Sequence, residues 1–260
     1  MKTKIENCLA VALLVGSTAV AAQINNYQSV TKELLRSPPS GDWLSWRGTQ
    51  ASWGYSALDQ INSENVGQLQ LVWSWAMDDT GAGEAAPLIH DGVMFLPGPR
   101  GVIQALNAAN GNLIWEYRPG ITAAMEGSNA VALGPDQLGA AAMPATAFAG
   151  VGRGVQKNIA IFGDMIYAAT ENASIRAIDA RTGLLVWETP VADPALGYYY
   201  VAGPILANGT LVTGINGCER YKDDVCFITG HDPLTGEEKW RTDTVARPGT
   251  PVGDTWGDLP

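Results

Sequence analysis

Short β-rich runs alternate along this chain with Gly, Asn and Asp, the pattern of strands separated by tight turns. Three segments place a turn dipeptide between two such runs. They are PLIHDGVMFLPG from Pro87, IAIFGDMIYAAT from Ile159 and PILANGTLVTGI from Pro204, with Asp91-Gly92, Gly163-Asp164 and Asn208-Gly209 at their centres. Such dipeptides favour the backbone twist of a two-residue hairpin. Each segment is followed by an eleven-residue motif: ALNAANGNLIW (Ala105 to Trp115), AIDARTGLLVW (Ala177 to Trp187) and GHDPLTGEEKW (Gly230 to Trp240). Every copy has Asn or Asp third, Gly seventh and Trp eleventh. The spacing predicts a strand, a turn in which Gly supplies positive φ, and a second strand ending at the Trp.

Hairpin plus motif makes four strands, A to D, repeated as units 87–117, 157–189 and 200–242. Tandem four-stranded antiparallel units predict an all-β chain of the β-propeller type. The Trp falls on the outermost strand, where its ring can pack on the next unit. The other reading, a core Trp of a β-sandwich, does not account for the threefold motif. Lys32-Glu33-Leu34-Leu35 suggests one helical turn, Ser63 a cap for a short helix reaching Gln68, and Leu69–Met77 an outer strand of a blade closed by the other end of the chain. Residues 118–156 form an Ala- and Gly-rich insertion. The last residues, VARPGTPVGDTWGDLP, read as the lead-in to a fourth unit. Three units and a lead-in make an incomplete propeller, so the chain is expected to be the N-terminal part of a longer protein or a truncated gene product.

Composition narrows the function. A formal net charge of −10 disfavours nucleic acid and anionic membrane surfaces as partners. His90 and His231 both fall beside predicted turns, which disfavours a His-based metal or nucleophile site. Residues 1–22 carry a basic n-region, an apolar h-region and small-x-small cleavage signals at Ala19 to Ala22. They read as a signal peptide, implying export to the periplasm and no integral membrane segment after cleavage. In an oxidising compartment Cys218 and Cys226 are expected to pair across the loop ERYKDDV; free thiols are the alternative.

In a propeller the D–A connections and B–C loops share one face. That face would gather Glu84, Lys157, Val201, Asn216, Gly217, Cys218, Glu219 and Trp256, all from 23–260. A cation, two carboxylates and a large aromatic at one mouth suit a flat, multiply acidic cofactor with a metal ion.

These residues, with YSALDQINSENVGQLQLVWSW, GEAAPLIHDGVMFLP, GINGCE and GDTWGD, carry a resemblance from about Asp42 to Pro260. The chain resembles the eight-bladed alcohol dehydrogenases that use pyrroloquinoline quinone (PQQ). The resemblance implies a periplasmic oxidoreductase acting on a primary alcohol or related small substrate, with Ca²⁺ or a lanthanide beside PQQ and a cytochrome c as electron acceptor. It implies that Glu84 and Lys157 contact PQQ, with Arg153 as an alternative to Lys157. Asn216, Gly217 and Cys218 fall in the segment whose backbone touches the cofactor, Glu219 falls on a metal ligand, and Trp256 on the Trp beneath PQQ. There are departures: the family's vicinal Cys pair is missing and Val201 replaces a common Thr. The family's catalytic Asp, its Asn metal ligand and its lanthanide-marking Asp would all lie beyond Pro260, so this stretch alone is expected to be inactive. A non-catalytic propeller scaffold of the same repeat superfamily is the rival reading.

Overall fold

The computed structural model describes residues 23–77, 85–119, 157–218, 226–245 and 249. Among these, twelve strands form three antiparallel four-stranded sheets, each a simple meander. Unit one holds β1 (Leu88–His90), β2 (Val93–Pro97), β3 (Ile103–Asn107) and β4 (Leu113–Tyr117). Unit two holds β5 (Ala160–Phe162), β6 (Met165–Ala169), β7 (Ser174–Asp179) and β8 (Leu185–Pro190). Unit three holds β9 (Ile205–Ala207), β10 (Thr210–Gly214), β11 (Phe227–His231) and β12 (Glu238–Asp243). The sheets form an open partial propeller.

The repeat holds at the level of single hydrogen bonds. The side chains of Asn107, Asp179 and Asp232 accept from backbone N–H groups two and three residues on, at 2.8–3.3 Å. The glycine N–H of each copy closes the same turn onto the backbone carbonyl of that residue at 2.8 Å. The register shifts at the same place in each unit, between Ala105 and Leu106, Ala177 and Ile178, and Gly230 and His231. The A–B turns behave as their dipeptides require: Asp91, Gly92, Asn208 and Gly209 all have φ between 48° and 79°, which Asp, Asn and Gly tolerate.

Each motif Trp locks one unit to the next. Trp115 Nε1–H donates to the Ala180 carbonyl at 2.9 Å, and Trp187 Nε1–H to that of Pro233 at 3.2 Å. Trp73, upstream of unit one, does the same to Ala108 at 3.1 Å. The turn glycine beneath each ring leaves no room for a side chain: a Cβ on Gly111, Gly183 or Gly236 would stand 2.6 Å from the Cε3 of Trp73, Trp115 or Trp187. Two apolar cores fill the spaces between sheets. One joins units one and two through Phe95, Ile103, Trp115, Ile161 and Ile178. The other joins units two and three through Tyr167, Ile175, Tyr200, Leu211 and Phe227.

The N-terminal segment forms a strap. Val30 pairs with Gly163, Trp43 with Ile89, and Gln50 reaches the Leu206 carbonyl, so the strap touches all three units. Val30, Leu35 and Leu44 enter the first core. His90 is buried between the strap and unit one, with Nδ1 2.8 Å from Asp42 Oδ2 and Nε2 2.7 Å from the Gln28 carbonyl. The expected helical turn is α1 (Lys32–Arg36), capped by Thr31.

Two expectations fail. Leu69–Met77 is not in a strand: it was expected in a separate blade closed by the other end of the protein, and no other strand of such a blade occurs among the described residues. The helix expected from Ser63 shrinks to a 3₁₀ turn, Val66–Gln68. Asn65 bonds back to Asn62 N–H and the Gln60 carbonyl instead, and this side-chain network competes with helix propagation.

Candidate functional site

The residues that lead into each strand A meet in a ladder. The Ala86 N–H donates to the Lys157 carbonyl at 2.9 Å, and the Lys157 N–H donates to the Val201 carbonyl at 3.1 Å. One continuous line of main chain thus crosses from unit one through unit two to unit three. Lys157 and Val201 are thus neighbours in this line.

The third B–C loop joins that line. Tyr199 and Asn216 exchange both backbone hydrogen bonds, at 3.2 and 2.9 Å. Gly217 has φ +105°, and a Cβ there would run into the Gly197 carbonyl. Glycine is required at this contact on both counts. The Tyr200 N–H reaches the Thr170 carbonyl of unit two's B–C loop at 3.2 Å, so residues 197–203 touch both neighbouring loops.

Cys218 and Cys226 form a disulfide, with Cα atoms 5.2 Å apart. The far end of the loop is held by Thr244, whose N–H and Oγ1–H both donate to the Cys226 carbonyl at 2.8 Å. Of the remaining site residues read from sequence, Glu84, Glu219 and Trp256, with the alternative Arg153, lie outside the described residues. So do the signal peptide and insertion residues 120–156.

Lys157 is exposed and supplies positive charge beside the ladder. Two further charges on the same face were missed from sequence. Arg100 sits in unit one's B–C loop in the left-handed region, φ 58°, and Glu171 sits in that of unit two. Burial pushes the Glu171 carboxyl above the usual carboxylate range, opposed by Arg100 and Arg176. Their loop positions between strands B and C were the available signal. The strap covers the opposite face: it bonds to the A–B turns at Asp91 and Gly163 and to Arg181 in unit two's C–D turn.

The described part of the mouth fits a flat acidic group in its donor chemistry: a cation, the Asn216 amide and glycine-bared main chain. No group of three His, Cys, Asp or Glu side chains able to hold a metal occurs among the described residues.

Comparison with known proteins bears on the fold and the family. The family model described as "PQQ: Glucose/ethanol/alcohol dehydrogenase, beta-propeller domain" matches residues 43–258. The quinohemoprotein alcohol dehydrogenase ADH-IIG of Pseudomonas putida is 33% identical over 247 residues, covering 94% of this chain and 31% of that protein. The dehydrogenase subunit of a quinone-linked alcohol dehydrogenase of Gluconobacter oxydans is 32% identical, covering 95% of this chain and 30% of that subunit. The solved structure of ADHIIG from P. putida HK5 superposes with a TM-score of 0.68 at 31% identity, over 84% of this chain and 29% of that one. A europium-containing methanol dehydrogenase has the same fold, with a TM-score of 0.65 at 23% identity, covering 80% of this chain and 33% of that one. The chain thus spans about a third of the length of the curated relatives it matches. Three docked four-stranded units, a ladder of main chain at their mouth and a family match over residues 43–258 together place this chain in the PQQ-dependent glucose, ethanol and alcohol dehydrogenase β-propeller family.

Proposed function

We propose that this chain supplies the N-terminal part of a periplasmic alcohol dehydrogenase that uses PQQ with Ca²⁺ or a lanthanide. The ladder Ala86–Lys157–Val201, with Asn216 and Gly217 alongside, is the observation that carries the reading. PQQ, when bound, supplies a two-electron acceptor for oxidation of the alcohol. This chain's residues bind and orient it. Lys157 offers a cation to an acidic group, and Glu84 is assigned a second contact to it by the family resemblance. Gly217 and Cys218 offer backbone groups, and Trp256 offers an aromatic face for a planar ring system. Glu219 supplies a hard oxygen ligand to the metal.

The relatives' names support an alcohol as substrate; a primary alcohol or related substrate and a cytochrome c electron acceptor complete the proposal. Residues 1–22 and the Cys218–Cys226 bridge support export to the periplasm.

Metal titration of the whole apo-protein tests the assignment. Replacing Glu219 with Gln removes charge and keeps shape, so Ca²⁺ affinity falls and high Ca²⁺ partly restores activity. Glu84→Gln instead weakens PQQ retention with less effect on the metal. Equal Ca²⁺ affinity in wild type and Glu219→Gln contradicts the role of Glu219.

A further inference from the structure

We propose that Asn158 is a positioning residue that fixes Lys157 at the cofactor mouth by clamping unit two to unit three. The inference rests on the reading of Lys157 as a PQQ contact and adds what holds it there.

Asn158, Ala86 and Gly203 are equivalent by position, each two residues before its strand A (β5, β1 and β9). Only unit two carries a polar side chain there. Asn158 Oδ1 accepts the Gly203 N–H at 3.0 Å. The Asn158 carbonyl packs directly on Gly203, where a Cβ would overlap it, with Asn158 Nδ2 3.0 Å from the same point. Gly203 is not at positive φ, so glycine stands there for space rather than conformation. The Lys157 main chain is already held on both sides, by Ala86 and by Val201. The Asn158 amide adds a third tie, one residue on. The lysine's flexible stem fixes no geometry of its own, so where its ammonium can reach depends on where its main chain is held.

The experiment is a double-mutant cycle in the whole apo-protein. It reads the PQQ dissociation constant by absorbance titration at low and high salt. Lys157→Ala should weaken PQQ binding about tenfold at low salt and less at high salt, since screening removes the charge term. Asn158→Ala should weaken it about threefold to fivefold, near the worth of one hydrogen bond, and should flatten the salt dependence. The double variant should be no weaker than Lys157→Ala alone, since Asn158 acts only through the lysine. If Asn158→Ala does not fold, Asn158→Ser, too short to reach the Gly203 N–H, reads the same cycle.

An Asn158 effect that adds in full to that of Lys157→Ala, or no effect while Lys157→Ala weakens binding, overturns the inference and leaves the site reading intact. If Lys157→Ala itself binds PQQ as wild type does, the site reading fails and the positioning role falls with it.

Discussion

Trp115 and Gly183 meet across the boundary between units one and two: a Cβ on Gly183 would lie 2.6 Å from the indole Cε3. Gly183 also sits at φ +74°, so substitution there is penalised twice. Gly183→Ala is expected to destabilise the fold by roughly 2–4 kcal/mol, from overpacking and from the left-handed backbone. Urea denaturation measures it. A loss below about 0.5 kcal/mol, the size of an ordinary surface change, would mean that the docking does not hold the units together.

That contact was legible in sequence as far as residue types went. The Asn/Asp, Gly and Trp spacing gave the units, their turns and the outward-facing Trp. The strap was not legible. Its partners lie far away in sequence, 48 residues between Asp42 and His90 and 156 between Gln50 and Leu206, and its polar composition shows no period. The Leu69–Met77 run reads as a strand by pattern, yet a strand exists only with a partner to bond. At the mouth, Lys157, Asn216 and Gly217 were expected on one face from the strand order of a propeller. The Asn158–Gly203 clamp was not, because a single Gly before Pro204 resembles any turn residue.

The strap should come loose when its buried pair is broken. Asp42 accepts from the His90 ring and from the Asp91 N–H at 3.1 Å. Asp42→Ala leaves these groups unpaired and should cost about 3 kcal/mol. Limited proteolysis should then cut within residues 24–50 well before the strands. Unchanged protection there would show that the apolar anchors Val30, Leu35 and Leu44 suffice.

His231 gives a pH signature. Burial holds its imidazole below the ordinary value of 6.5, and Nδ1 faces the Gly236 carbonyl at 3.1 Å. The unfolded chain therefore takes up a proton more readily than the folded one, and unfolding is favoured as pH falls. This contribution to stability is complete above 6.5 and declines as pH drops below it. His231→Asn should flatten that part of the curve. Thermal melts from pH 8 to 5 check it, and an unchanged acid slope would contradict it.

The Cys218–Cys226 bridge spans a sequence separation of 8. Closing so short a loop should stabilise the fold by roughly 2–3 kcal/mol through the unfolded chain. The Cys218→Ser, Cys226→Ser double variant should show that loss in denaturation. Mass spectrometry of the exported protein should find no free thiol at either position.

The central claim is that the Ala86–Lys157–Val201 edge is where the cofactor sits. A crystal structure of the whole apo-protein reconstituted with PQQ and Ca²⁺ tests it most directly. The account predicts PQQ density against that edge, beside Asn216 and Gly217 and on the face opposite the strap. Density on the strap face, or no PQQ bound under conditions that saturate a known quinoprotein dehydrogenase, would contradict it.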